Sequence, residues 1–544
     1  MPQSHDLTTL LDQFIAEEFE DRPVMASAAG AAGYDDRLGD FSASARERRA
    51  SRDREWHATF TGVPDDGLDA DARIDRDLAI ATLRGRVLLD ERPDWRRDPA
   101  TYLEPCLRGP HVLFLHRLHP EAELVAAAVA RLRQVPDVLE AGMANLDPEL
   151  TPRLLVDRAI GQARSAVRYA RDYLPAEAED PRLRTALTAA AAEAALAFER
   201  FAEWLEGLGE RAGGDWRLGE PLYSALLAER ELLDLDANSL HRRGQAAYDE
   251  LDIEMRKVAE NMPGGGPDWL AVMKELNQEH APTLEAMRQA YETTTGQARD
   301  FLRERKLVPF AEGEECAVVP APVFQRPVLA VASYAGPPPL TDRRLGHFFV
   351  PFTADDASEE QVQQRLQTNS SASIPTISVH EAYPGHHWHR TWSAGGARPI
   401  RKLLGTPYFG EGWALYAERM MYQEGFFTDP RHVLAHLDAR IFRAARIVVD
   451  TALHAGDMSV EEAVDTMATK ASLSRDTAEV EIRRYCAWPT QAASYLTGAL
   501  EIEAIRERWR AANPAAPLAD FHAAIAGSGN LPLGLAGRAV LGDA

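Results

Sequence analysis

Leu183 to Leu208, LRTALTAAAAEAALAFERFAEWLEGL, returns an apolar residue at every third or fourth position along its whole length. That spacing lines one face of an α-helix. Leu240 to Val258 repeats the pattern, and the sequence from Asp71 to about Arg305 is rich in Ala, Leu, Arg and Glu with the same periodicity. It predicts a series of long packed helices. Breaks fall where turn chemistry places them, at Gly213-Gly214-Asp215, at Pro263-Gly264-Gly265-Gly266-Pro267 and at Pro282. No Lys-Ser/Thr follows the glycine triplet, so it reads as a loop between helices and not as a phosphate cradle.

Between Cys316 and Phe352 the texture changes. Ala317-Val318-Val319, Val328-Leu329-Ala330-Val331 and His347-Phe348-Phe349-Val350-Pro351-Phe352 read as short strands interrupted by Pro337-Pro338-Pro339. From Val379 helical periodicity resumes and runs nearly to the end, with a Gly- and Pro-containing tail at Gly527 to Gly534. The expected fold is therefore mostly α, a large two-lobed helical body with a deep central cleft and a small β-sheet beside a later helix. An N-terminal helical region, 1–310, would be intertwined with a region 311–544 that carries the chemistry.

At 544 residues the chain can bury a large core. Its 60 Lys plus Arg against 84 Asp plus Glu leave a formal charge of −24, which repels nucleic-acid backbones and anionic membrane surfaces. Cys106, Cys316 and Cys486 are far apart and form no CxxC pair, so neither a disulfide framework nor a thiolate metal knuckle is expected. Met1 to Glu20 carries Asp6, Asp12, Glu17 and Glu18, the wrong pattern for a signal peptide. No uninterrupted apolar run reaches the roughly 18 to 20 residues of a membrane span. A cytoplasmic protein is expected, with no nucleic-acid or membrane partner; the sequence leaves the oligomeric state open.

The chemistry lies in His380-Glu381-Ala382-Tyr383-Pro384-Gly385-His386-His387. A zinc hydrolase needs three protein ligands, an open position for water and a carboxylate beside that water. His380 and Glu381 supply a ligand and a base. On a regular helix the second imidazole would stand one turn on, where this chain has Pro384. His387, two turns on, would be roughly 10 Å along the axis, too far to share an ion at about 2 Å per bond. The helix must be deformed, and Pro-Gly suits a bulge that draws His386 back toward the metal. A third ligand is expected from Tyr408-Phe409-Gly410-Glu411-Gly412-Trp413-Ala414-Leu415-Tyr416-Ala417-Glu418. Glu411 and Glu418 share a face two turns apart among apolar residues, where a carboxylate is costly unless it binds a metal or a partner. Glu411 fits as ligand and Glu418 as the group orienting a histidine N–H.

These two segments, with Pro489-Thr490-Gln491-Ala492-Ala493-Ser494-Tyr495-Leu496-Thr497-Gly498 and Ala32-Gly33-Tyr34-Asp35-Asp36-Arg37-Leu38, resemble the DUF885 family over nearly the whole chain. That family is in turn similar to the helical gluzincin peptidases, the thimet-oligopeptidase, angiotensin-converting-enzyme and carboxypeptidase Taq groups, which carry His-Glu-x-x-His and a downstream Glu ligand. The resemblance implies a zinc metallopeptidase in which Tyr495 is the late-helix tyrosine that steadies the oxyanion. The chain departs from the gluzincin motif by two extra residues between the histidines, which leaves both His386 and His387 open as the second ligand.

The resulting expectation is a zinc-dependent hydrolase that cleaves amide bonds of short peptides, with Glu381 as general base. His347 and Phe349 could pair an extended peptide with their strand. Arg390 or Arg484 could receive its carboxylate, with Gln491 nearby. The alternatives are a metal-dependent hydrolase of a small amide in specialised metabolism and a ligand-binding pseudoenzyme that keeps the metal site. The presence of the base Glu381 argues against the last.

Overall fold

Asp180 accepts the backbone N–H groups of Arg182 and Leu183 and so starts the helix Pro181–Gly209, with Pro181 in the first turn where its missing donor is harmless. Leu187, Ala191, Ala194, Phe198, Phe201 and Leu205 of this helix are buried. They pack against the helices Glu121–Asn145 and Arg153–Arg168, the partners expected for an apolar stripe of that period. The computed structural model of the protein describes residues 6–322, 325–326, 329, 331–354 and 357–542. Helices make up most of it, so the fold is mostly α. The helices also extend into the first seventy residues, where Leu7–Asp21, Pro23–Ala29 and Ala43–Thr61 precede the expected series.

Two compact units divide the chain: Met1–Trp216 with Pro338–Asp342, and Arg217–Pro337 with Arg343–Ala544. The second contains every residue expected to carry chemistry. Its centre is the helix Pro430–Ala455, packed against Ala237–Glu260 and Gln491–Ala512, while Pro407–Gln423 lies along Gln491–Ala512. The expected breaks separate real helices, since Gly213 to Asp215 follow Pro181–Gly209 and the Pro263 to Pro267 segment lies between Ala237–Glu260 and Trp269–Leu276. The Gly527 to Gly534 segment is a connection and not a tail, because a last helix, Leu533–Leu541, follows it.

Among the described residues the strands are β1 (Glu315–Pro320), β2 (Ser333–Ala335) and β3 (Leu345–Val350), in the order β1-β3-β2. β1 runs parallel to β3 with Val318 opposite Phe348, and β2 runs antiparallel with Tyr334 opposite the same residue. Of the strand expected at Val328 to Val331, Val328 and Ala330 lie outside the described residues. β3 is the central strand: Ala317 pairs with His347 on one side and Ala335 on the other. Its backbone donors and acceptors are thus taken, which overturns the expectation that an extended peptide adds to the strand at His347 and Phe349. No helix among the described residues is long and apolar enough to cross a membrane.

Candidate metal centre

His380 and Glu381 are the last two residues of the helix Ile374–Glu381. Pro384 has no N–H to continue it, and the chain turns through Ala382 to Gly385 before a second helix, His386–Gly396, begins. The expected bulge within one helix is therefore a break between two. The turn is tight. Gly385 donates its N–H to the Val379 carbonyl at 3.0 Å, and a Cβ on Gly385 would stand 1.9 Å from the His380 carbonyl oxygen. Only glycine allows that approach. Trp413 donates its indole N–H to the Pro384 carbonyl at 2.8 Å and holds the turn from the neighbouring helix. The result brings the His380 and His386 rings to 4.8 Å between centroids, nearly perpendicular at 88°.

Pro407–Gln423 supplies Glu411 and, two turns on, Glu418. Glu411 Oε2 lies 3.5 Å from His380 Nε2 and 3.3 Å from His386 Nε2. One ligating atom from each of the three residues falls within 4.8 Å of the others. Bonds of about 2.0 to 2.1 Å around a tetrahedral ion put neighbouring donors roughly 3.3 to 3.4 Å apart. The carboxylate-to-imidazole separations match that edge, and two imidazoles with one carboxylate are a donor set suited to zinc, so the three residues could hold it. His380 is 7% exposed at its side chain, His386 12% and Glu411 24%, so the group is walled in at His380 and accessible at Glu411.

The electrostatics favour positive charge here. Glu418 Oε1 accepts from His380 Nδ1 at 2.7 Å, which aims Nε2 at Glu411 and His386. Burial opposes ionisation of Glu418, yet the hydrogen bond from His380 and the nearby His436, 3.7 Å away, hold its carboxyl down at about 2. Burial also works against a charged His380, but Glu411 and Glu418 together raise it above the usual imidazole range. Glu411 is likewise held well below the carboxylate range by His386 and His380, against its burial. A bound cation would satisfy the same field. Glu381 differs: burial pushes its carboxyl up, and His380 and His386 only partly offset this.

His387 points elsewhere. Consecutive helical residues diverge by about 100°, and its Nε2 lies 2.9 Å from Glu314 Oε2 while its Nδ1 is 2.9 Å from the Tyr334 hydroxyl. Glu314 also accepts from Tyr383 and pairs with Arg299, and these contacts hold it below its ordinary range despite burial. An ionised Glu314 can only accept, so Nε2–H donates to it and Nδ1 accepts from Tyr334. The structure thus gathers His386 with His380 and Glu411, and gives His387 a buried network that fixes the start of its helix.

Tyr495, on Gln491–Ala512, stacks on the His380 ring at 6.5 Å between centroids and 18° between planes, and Gln491 donates to its hydroxyl at 3.4 Å. Arg484 donates to Gln491 at 2.6 Å and pairs with Glu481 at 3.0 Å. Arg390 is exposed, and His347 stacks on Phe349 at 5.9 Å within the sheet. Sequence reasoning missed Glu314 and Tyr334, which hold His387, and Arg443, whose Cζ lies 5.8 Å from the Tyr495 ring centroid. None of the three carries a spacing signal, since each comes to the site from a distant element.

Residues 23–540 match the description "Bacterial protein of unknown function (DUF885)". The chain belongs to the DUF885 family. The matched span takes in both histidine helices, the Glu411 helix and Tyr495. A structure described as "a putative lipoprotein of unknown function from Shewanella oneidensis" is similar to this DUF885 protein with a TM-score of 0.78 at 20% identity, covering 98% of this chain and 99% of that one. A second, "the putative lipoprotein from Colwellia psychrerythraea", has a TM-score of 0.82 at 19% identity and covers 99% of each chain. At such identities the likeness is one of fold. No curated protein matches the chain.

Proposed function

We propose that this DUF885 protein is a zinc-dependent hydrolase of amide bonds in short peptides, working as the helical gluzincin peptidases do. The observation that carries the reading is the convergence of two imidazole nitrogens on one Glu411 oxygen at tetrahedral-edge distances, with the buried Glu381 next in sequence to His380. His380, His386 and Glu411 would hold the ion, and Glu418 orients His380 through Nδ1. Zinc, when bound, supplies the Lewis acidity that makes water nucleophilic at neutral pH and polarises a carbonyl. Glu381 takes the proton from the attacking water and returns it to the leaving amine nitrogen, a role suited to a carboxyl whose burial raises it toward neutrality. The Tyr495 hydroxyl donates to the oxygen on which negative charge develops.

Elemental analysis of the purified full chain tests the site. One zinc per chain is expected, retained by His387→Ala and lost by His380→Ala, His386→Ala and Glu411→Ala. Undiminished zinc in both His380→Ala and Glu411→Ala would overturn the assignment. A peptide-library digest read by mass spectrometry, with and without a chelator, tests the reaction. Zinc binding without cleavage of any peptide would move the substrate to a small amide.

A further inference from the structure

Three arginines surround Tyr495, and two of them are fully engaged. Arg446 pairs with Glu481 at 2.7 Å, donates to the Tyr485 hydroxyl at 2.9 Å and lies 4.8 Å from the Tyr495 ring centroid. Arg484 is bonded to Glu481 and Gln491. Arg443, one turn before Arg446 on Pro430–Ala455, is different. Its guanidinium makes one hydrogen bond, from Nη1 to the Ala439 carbonyl at 2.9 Å, and its Nε is buried with no partner. Among the described residues no carboxylate lies within ion-pair distance of it. Three acids stand in its wider field: Glu418 is held by His380, Asp438 by Ser472 at 2.6 Å, and Glu381 is the buried acid that neighbours His380. The side chain is half-buried, with its Cζ 5.8 Å from the centroid of the Tyr495 ring that stacks on His380.

A part-desolvated guanidinium with an unused donor is costly unless an anion arrives to meet it. We propose that Arg443 receives a carboxylate of the substrate. This rests on the hydrolase reading of the neighbouring site and narrows it to peptides carrying a carboxylate just beyond the scissile bond. The source is either the free α-carboxylate of the last residue or an acidic side chain there. A terminal carboxylate stands only one residue, about 3.8 Å of chain, from the carbonyl to be attacked. A receptor one aromatic ring away from a metal ligand suits that reach, and the planar fork of an arginine suits a carboxylate.

The test is calorimetric titration of zinc-loaded full chain in the Glu381→Gln background, where the ligands are intact and turnover is suppressed. The probes are Ala-Ala-Ala, its C-terminal amide, and Ala-Ala-Asp amide, with zinc content read on each sample. The free acid is expected to bind about 10- to 100-fold more tightly than its amide. Adding Arg443→Met should abolish that preference with zinc retained, and Arg443→Lys should shrink it several-fold. Tight binding of the Asp amide alone would assign the carboxylate to a side chain. Equal affinity for all three peptides, no measurable binding of any, or a preference unchanged by either substitution would overturn the proposal. Failure of the hydrolase reading would look different: a carboxylate preference that vanishes with Arg443, in a chain whose zinc-loaded wild type cleaves none of the three.

Discussion

Glu381 and Glu418 are buried carboxylates in one neighbourhood, pulled in opposite directions. Two histidines keep Glu418 ionised at about 2, while burial raises Glu381. One environment suits a fixed charge that orients a ligand; the other suits a group that exchanges a proton. Glu381→Gln should therefore keep its zinc and lose turnover by roughly two to four orders of magnitude. Glu418→Ala should weaken zinc affinity by about 10- to 100-fold by loosening His380. A chelator-competition zinc titration run beside a turnover assay separates the two, and wild-type turnover in Glu381→Gln would remove that residue from the mechanism. Tyr495→Phe should keep zinc and slow turnover by about a hundredfold. The grouping of His380, His386 and Glu411 was legible in the sequence because a metal-site pattern restricts both residue type and spacing. The choice between His386 and His387 was not, because it is made by Glu314, 73 residues before His387. Arg443 was hidden for a simpler reason: an arginine on a helix is ordinarily solvated.

At the scale of elements, Pro407–Gln423 and Gln491–Ala512 bring Glu411 and Tyr495 to the same point because they cross on glycines. A Cβ on Gly412 would meet the Gly498 Cα at 2.5 Å, and one on Gly498 would meet the Tyr408 carbonyl oxygen at 1.9 Å. Gly498→Ala must push the helices apart, at about 1 to 3 kcal/mol of overpacking. Displacing the Tyr495 helix by even about 1 Å can lower turnover on the order of a hundredfold. Gly395→Ala is the control. Its Cβ meets nothing within 4 Å, and removing a helical glycine should stabilise by about 0.5 to 1 kcal/mol with turnover unchanged. Urea denaturation and turnover of the two variants check this, and equal behaviour would refute the crossing argument. Periodicity read the helices themselves well, since an apolar stripe is a local property. It could not read the crossing, because a glycine inside a helix looks like a cost until its partner is known. Strand order was closed to it for a related reason: β3 is central only because β1 and β2, both before the proline run, pair with its two edges.

At the scale of the molecule, the site-bearing unit is tied together by Asp450 on the long helix Pro430–Ala455. Its carboxylate accepts from the Tyr223 hydroxyl at 2.6 Å and from the Thr490 N–H at 3.2 Å, joining that helix to Glu220–Ala225 and to the residue that starts Gln491–Ala512. Burial pushes the carboxyl up to about 7, and those two donors only partly offset it. A carboxyl raised in the folded state keeps a proton that the unfolded chain releases near pH 4. Its stabilising contribution is thus fully present below that pH and is lost as pH rises through about 7, the opposite of a carboxylate held down by ion pairs. The slope can reach about 1.4 kcal/mol per pH unit for one proton. Asp450→Asn removes the titration and keeps an acceptor oxygen. The variant should be less stable than wild type at pH 5, where the neutral acid already fits, and should gain on it steadily up to about pH 7.5. Urea unfolding of both proteins across that range gives the difference directly. A constant difference would mean that Asp450 is ionised throughout, and that the two donors outweigh its burial.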